Sequence, residues 1–170
     1  MPNPLLLLSA FVALIPGQAK QVALKIRLLV PAYFYPGDKG MVQWNKMIST
    51  AGRVPTVGIV NPASGPGDHV DSNYQSVLPR ARKAGVMLVG YVSTSYTKVP
   101  MAKAKADMDI YLKFYPEIEG FFFDEQASDL KSVPYYAELY KYAKLVRTKG
   151  LVFTNPGTTC EPEFLTQHCI

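Results

Sequence analysis

The chain has 170 residues, of which 48% are hydrophobic and 18% are charged, a composition typical of a globular protein with a substantial apolar core. Its formal charge is +5 and its pI is about 9.1, but the basic residues are scattered and no nucleic-acid-binding motif accompanies them. The densest basic patch, predicted to be a solvated helix end, contains Arg80, Arg82 and Lys83. We therefore predict no nucleic-acid partner. An acidic polysaccharide suits this charge better than a polycationic one.

The first residues are typical of a targeting segment. Residues 5–15 are almost entirely apolar, and in the segment that follows, the small residues Gly17 and Ala19 stand at the positions that a signal peptidase reads. The apolar run is too short to span a bilayer. We therefore predict a signal peptide over residues 1–19, a mature domain over residues 20–170, a secreted or cell-surface location and no stable membrane insertion. The alternative is a buried or disordered N-terminal segment, since no Lys or Arg precedes the run.

Five apolar runs that end near turn signals predict five β-strands, over residues 24–35, 54–60, 86–92, 121–123 and 151–154. Apolar residues at helical spacing between the runs predict four amphipathic helices. We expect Gly85 to close the second helix, and Ser132 to cap the fourth, with Pro134 in its first turn. The four helical stripes include Met41, Trp44 and Met47; Tyr74, Val77 and Leu78; Met101, Ala104 and Met108; and Tyr136, Leu139 and Ala143. Trp44 is predicted to be a core residue.

The strand centres recur roughly every 30 residues with a helix between them, which predicts a parallel sheet. An open doubly wound sheet and a (β/α)8 barrel both fit this repeat. The barrel is favoured, because polar and aromatic residues follow every strand and no glycine fingerprint for a nucleotide follows the first. Five strands cannot close a barrel. The predicted fold class is therefore α/β, a TIM-barrel-like arrangement truncated after about five βα units.

The sequence predicts no metal and no organic cofactor. His69 and His168 are isolated and lie in predicted loops, and the two cysteines lack the spacing of metal ligands. In an exported protein Cys160 and Cys169 can form one small disulfide loop, whereas two free thiols are the alternative. The oligomeric state is left open.

Four motifs that follow one another in order resemble the spherulin-4 family. They are VPAYFYPG at residues 30–37, IVNPASGPG at 59–67, GYVSTSY at 90–96 and GFFFDE at 120–125, and a later NPGT at 155–158 also matches. The resemblance extends over about residues 28–158. It implies a TIM barrel with glycoside hydrolase activity. The characterised branch, glycoside hydrolase family 135, cuts α-1,4-linked N-acetylgalactosamine in galactosaminogalactan.

By this resemblance, Asp124 and Glu125 fall on the acidic pair proposed for catalysis in the family. The family also uses a further glutamate on a later strand, and Glu161 and Glu163 follow the NPG motif too closely to replace it. Glycoside hydrolysis generally needs a proton-donating carboxylic acid and a second carboxylate. We expect one of Asp124 and Glu125 to act as the acid/base and the other to orient substrate or stabilise charge.

Neighbours on a regular strand point to opposite faces, but a turn at the strand end can bring both carboxylates into a cleft. The alternative is that Asp124 caps the following loop while Glu125 is simply exposed to solvent.

Further residues near the strand ends are predicted to bind substrate. Tyrosine rings can stack on sugars, and asparagines that precede proline can direct an amide toward a ligand. The alternatives are tyrosines that pack in the core, asparagines that hold turns, and an Asp71 that only caps a helix. The predicted set is Tyr33, Tyr35, Asn61, Asp71, Tyr74, Tyr91, Ser95, Tyr96 and Asn155.

These observations predict a secreted or cell-surface glycoside hydrolase that cuts within a polysaccharide containing N-acetylgalactosamine. Two alternatives stay open. One is a non-catalytic carbohydrate-binding or cell-wall or spore-associated protein. The other is an inactive fragment that lacks the later glutamate.

Overall fold

The computed structural model describes residues 27–166, where five strands alternate with helices. The predicted signal peptide lies outside the described residues. The strands are β1 (Leu28–Ala32), β2 (Thr56–Val60), β3 (Val86–Ser93), β4 (Gly120–Asp124) and β5 (Leu151–Thr154). The α-helices are α1 (Asp38–Ala51), α2 (Ser72–Lys83), α3 (Met101–Phe114), α4 (Val133–Val146) and α5 (Glu163–Thr166), and short 3₁₀ turns cover Ser95–Thr97 and Leu130–Ser132.

The five strands form one parallel sheet in the order β1-β2-β3-β4-β5. Each crossover therefore advances by one strand in the same direction, as it does in a (β/α) barrel. The predicted α/β fold with about five barrel-like βα units is confirmed. Two predicted strands stop short of the observed ones, because β3 continues to Ser93 and β4 continues to Asp124.

Alternate strand residues belong to two separate apolar clusters. The larger cluster joins the strands to the helices and contains Phe121 and Phe123 of β4. The smaller cluster consists of strand residues alone within the described chain, and we call the surface that carries it the helix-free face. Its buried members are Val57, Ile59, Val89, Tyr91 and Phe122. Apolar residues on both faces explain why the strands read as nearly continuous hydrophobic runs.

The helix boundaries mostly follow the predicted signals. Gly85 follows Ala84, the C-cap residue of α2, and has φ of +93°, a left-handed conformation that glycine adopts at little cost. Trp44 is fully buried, as predicted, and its indole nitrogen donates to the Phe34 carbonyl at 3.0 Å. The predicted side-chain cap at Ser132 is wrong, because the Ser132 hydroxyl donates to Asp129 Oδ1 at 3.0 Å. None of the helices in the described part combines the length and apolar character of a membrane span.

Candidate functional site

The first carboxylate of the predicted pair, Asp124, is the last residue of β4 and points to the helix-free face. It lies two residues beyond Phe122, a member of the cluster on that face. Asn155 directly follows β5, and its backbone amide donates to the Phe123 carbonyl at 2.9 Å. This contact brings the Asn155 side-chain amide within 2.9 Å of Asp124 Oδ1, to which it donates.

Glu125 reaches the same face because the backbone turns directly after β4. Its φ is +54°, in the left-handed region that few non-glycine residues adopt. Ser93 pairs with Asp124 in the β3–β4 register, and its hydroxyl donates to Glu125 Oε2 at 2.7 Å. Asp124 and Glu125 are therefore brought together, although consecutive residues of a regular strand would face apart.

Tyrosine rings lie beside these carboxylates. The rings of Tyr33 and Tyr91 meet edge to face with centroids 5.8 Å apart, and Tyr91 stacks on Phe122 at 6.4 Å. Burial, the charge of Asp124 and a hydrogen bond to Asp124 raise the pKa of the Tyr91 phenol well above its usual value. Burial and the same charge raise the pKa of Tyr33 to about 12. Both phenols therefore keep their protons at neutral pH and can act as hydrogen-bond donors.

A second polar network surrounds Tyr35, whose side chain is about half exposed. The Tyr35 hydroxyl donates to Asp71 Oδ2 at 3.0 Å and accepts from Asn73 Nδ2 at 2.8 Å. Asp71 is itself fixed, because its Oδ1 caps α2 by accepting from the backbone amides of Asn73 (2.8 Å) and Tyr74 (3.2 Å). The network holds an exposed aromatic ring in one orientation.

Two residues that the sequence predicts to bind substrate, Tyr74 and Asn61, use their side chains for contacts within the protein. Tyr74 is 1% exposed and packs against Trp44, Tyr35 and Tyr115, and burial raises the pKa of its phenol. Asn61 Oδ1 accepts from the Gly65 backbone amide at 2.9 Å and so closes the loop after β2. These positions do not favour direct contact with a ligand, and the predicted binding roles of Tyr74 and Asn61 stay predictions.

The turn after β3 contains Ser95 and Tyr96, which both have positive φ. The backbone amide of Tyr96 donates to the Glu125 carbonyl at 2.8 Å, so the turn is attached to the acidic pair. The Tyr96 side chain is 54% exposed. The backbone of Tyr96 is therefore fixed beside the acidic pair, while its side chain is accessible to solvent.

Sequence reasoning overlooked Ser93 and Asn73, which contact Glu125 and Tyr35 respectively. Strand alternation was the available signal for Ser93, since it lies two residues after Tyr91 and shares its face. Asn73 gave no such signal, because its contact depends on how α2 packs beside the segment that follows β1.

The described residues include no cluster of three or more His, Cys, Asp or Glu that could hold a metal ion. His69 Nδ1 lies 2.6 Å from Asp68 Oδ1 on the surface. Cys160 is partly buried, whereas Cys169 and His168 lie outside the described residues. The pairing of the two cysteines stays a prediction.

Known proteins are similar to this chain in both sequence and fold. The family described as spherulation-specific family 4 matches residues 27–169. Spherulin-4 from Physarum polycephalum is 35% identical over 142 residues, which are 82% of this chain and 42% of that protein. The solved structure of Aspergillus clavatus Sph3, in complex with GalNAc, is 28% identical with a TM-score of 0.74 and aligns with 84% of this chain.

The chain spans less than two thirds of either relative, namely 42% of Spherulin-4 and 62% of the Sph3 chain. Within that span, the fold agrees with a solved structure and the sequence motifs agree with the family. The chain belongs to spherulation-specific family 4.

Proposed function

We propose that this chain carries the carbohydrate site of a glycoside hydrolase that cuts within a polysaccharide containing N-acetylgalactosamine. The observation that carries the proposal is the placement of Asp124 and Glu125 on one face of the sheet, beside the rings of Tyr33 and Tyr91. Two carboxylates are the minimum set for acid/base cleavage of a glycosidic bond. Aromatic rings offer the apolar faces of a sugar a stacking surface.

The contacts suggest how the two carboxylates divide the work. Asp124 lies between two neutral donor groups, the Asn155 amide, which donates to it at 2.9 Å, and the Tyr91 phenol, whose pKa is raised in part by the charge of Asp124. These donors fix its orientation and suit it to stabilise the positive charge that develops on the sugar ring. Glu125 is held by the Ser93 hydroxyl, which can rotate. We assign proton exchange with the glycosidic oxygen to Glu125.

Support for the class of sugar comes from the relative solved with GalNAc, which is 28% identical to this chain and shares its fold. The chain spans 62% of that protein. Any carboxylate that the relatives supply from their remaining length would act beside the pair described above.

The test is to incubate the purified full chain with galactosaminogalactan and to measure new reducing ends. We expect the native protein to release new reducing ends, and we expect the rate of release to fall by about 100-fold or more in Asp124→Asn and Glu125→Gln. Asp109→Asn is the matched control, because Asp109 is also a carboxylate held by a tyrosine hydroxyl, at 2.8 Å from Tyr142, but lies on α3. Full activity in both site variants would contradict the assignment.

A carbohydrate-binding protein without hydrolytic activity is the second candidate. The half-exposed rings of Tyr33, Tyr35 and Tyr96 favour it, because exposed aromatic side chains can bind sugar without any proton transfer. Binding of the polymer without new reducing ends would select this candidate. Tyr33→Ala should then weaken binding, whereas Glu125→Gln should leave it nearly unchanged.

We also propose that the protein is secreted or displayed at the cell surface. The support is the apolar run at residues 5–15 and the small residues Gly17 and Ala19 that follow it. N-terminal sequencing of the protein expressed in its natural host tests this location. A mature chain in the medium or cell wall that starts at position 20 is expected, and an intracellular chain that starts at Met1 would contradict it.

A further inference from the structure

Thr94 is a buried residue between β3 and the turn that holds Ser95 and Tyr96, and its hydroxyl lies beneath the acidic pair. Its side chain is inaccessible to solvent. Thr94 Oγ1 lies 2.8 Å from the Asp124 carbonyl oxygen and 2.9 Å from the Glu125 carbonyl oxygen. The Thr94 backbone amide also donates to the Asp124 carbonyl, at 3.1 Å. One residue therefore contacts the backbone of both carboxylate-bearing residues.

Tyr136, on α4, connects this contact to the far side of the loop. Its hydroxyl lies 2.8 Å from Thr94 Oγ1 and accepts from the Ala127 backbone amide at 2.8 Å. The tyrosine side chain is also buried, with 1% exposure. The segment from Asp124 to Ala127 is thus held at both ends by a pair of side chains from other elements.

The proton positions in this chain follow from counting donors. Each hydroxyl has a single proton. Thr94 gives its proton to one of the two carbonyl oxygens, so that its own oxygen is free to accept from Tyr136. Tyr136 in turn accepts from the Ala127 amide. The two hydroxyls therefore link the Ala127 amide to the carbonyl oxygens of the acidic pair, and the Tyr136 hydroxyl also lies 3.5 Å from the Glu125 carbonyl oxygen.

The conformation that this chain supports is an unusual one. Glu125 has φ of +54°, which disfavours a residue with a Cβ atom and persists only where the surroundings enforce it. The Tyr96 amide supplies one such contact, at 2.8 Å from the Glu125 carbonyl, and Thr94 supplies another. The same conformation brings the Glu125 carboxylate to Ser93 on the helix-free face.

We propose that Thr94 and Tyr136 are positioning residues, whose hydroxyls hold Glu125 in its left-handed conformation and so set the distance between the two carboxylates of the site. Neither hydroxyl is exposed to substrate, so both act through the backbone. The effect on catalysis rests on the proposed hydrolase function. The effect on the conformation of Glu125 does not.

Variants that remove or keep a single hydroxyl group test the proposal in the full chain. Thr94→Val removes the hydroxyl and keeps the shape, Tyr136→Phe removes the second hydroxyl, and Thr94→Ser restores the first. Misplacement of a reacting group by about 1 Å costs on the order of 100-fold in rate. We expect kcat for reducing-end release to fall by about 10- to 100-fold in Thr94→Val and Tyr136→Phe, with KM changed by less than about threefold. Thr94→Ser should recover most of the native kcat.

Thr56→Val is the matched control. Thr56 is also buried, with 1% exposure, and its hydroxyl also donates to a backbone carbonyl, that of Val54 at 2.8 Å. It lies at the opposite end of the sheet, where β2 begins. We expect Thr56→Val to leave kcat unchanged. If Thr94→Val kept the native kcat and only its melting temperature fell, the hydroxyl would stabilise the fold without positioning the site, and the proposal would be overturned.

A crystal structure of Thr94→Val separates this proposal from the proposed function. We expect Glu125 to leave the left-handed region and its carboxylate to move away from Ser93. A retained φ near +54° with the 2.7 Å contact to Ser93 intact would overturn the positioning role, whether or not the native protein cuts any polysaccharide. A native protein without hydrolytic activity but with the displaced loop in the variant would instead contradict the hydrolase proposal alone.

Discussion

The close approach of β4 and β5 at Gly120 allows a quantitative prediction. A Cβ atom on Gly120 would lie 2.0 Å from the carbonyl oxygen of Leu151, 2.6 Å from its nitrogen and 2.8 Å from its carbonyl carbon. All three are backbone atoms of β5, which cannot rotate away as a side chain can. In Gly120→Ala the two strands must therefore separate by about 1.5 Å to restore ordinary van der Waals distances of roughly 3.5 Å.

The cost of this separation has two parts. Overpacking of a filled interior destabilises a protein by about 1–3 kcal/mol. The hydrogen bond from the Leu151 amide to the Glu119 carbonyl, 3.3 Å long, is the nearest link to the neighbouring strand, and its loss adds about 1 kcal/mol. We expect Gly120→Ala to lower the free energy of unfolding by about 2–4 kcal/mol.

Urea unfolding of the full chain, followed by Trp44 fluorescence, measures this change. Gly52→Ala is the control, because a Cβ atom there has no neighbour within 4 Å and its φ of −70° suits alanine. It should be neutral or stabilising by up to about 1 kcal/mol. A Gly120→Ala variant within about 0.5 kcal/mol of the native protein would refute the reasoning, because backbone atoms of β5 would then have moved at almost no cost.

Three further predictions concern the site and its surroundings. Asn155→Ala removes the donor to Asp124 Oδ1 and should lower kcat/KM about 10-fold; an unchanged value would exclude Asn155 from the site. Asp71→Ala removes the cap of α2 and should lower the free energy of unfolding by about 1 kcal/mol. Asp71→Ser should retain most of the stability that the cap contributes. An equal loss of stability in both variants would contradict the capping role. Eight tyrosines have a raised pKa in the folded protein, so the stability that their protonated forms contribute is fully present below about pH 10 and should fall as pH rises through 10 to 12 and beyond. Melting temperature against pH, with absorbance at 295 nm, checks this. Tyrosines that all titrate near 10 before unfolding would contradict it. The tyrosines with raised pKa are Tyr33, Tyr74, Tyr91, Tyr111, Tyr115, Tyr135, Tyr136 and Tyr142.

The parallel sheet and the general position of the site were predictable from the sequence, because both depend on local patterns. Five apolar runs with helices between them leave little choice of strand direction. Parallel strands also place their carboxyl ends at one edge, so Asp124 and Asn155 were expected near each other before any coordinates were known. Their hydrogen bond confirms that they are neighbours.

Other features depend on contacts between distant residues, which no local pattern reveals. The left-handed conformation of Glu125 is supported by Thr94 and by Tyr136, which contact each other across 42 positions of sequence. Tyr74 belonged both to a helical apolar stripe and to the predicted site, and its helical spacing proved the better guide to its burial. Ser132 precedes a helix, as a capping residue does, but the nearby Asp129 carboxylate binds its hydroxyl.

The alternation of residues along β4 also limits how this protein can change during evolution. Phe121 and Phe123 pack toward the helices, while Phe122 and Asp124 belong to the opposite face. Deletion or insertion of a single residue within the strand would exchange the two sets. The change would place a charged group in the core between the sheet and the helices, and a phenyl ring at the position of the carboxylate. Within β4, a change of length therefore cannot preserve both the core and the site.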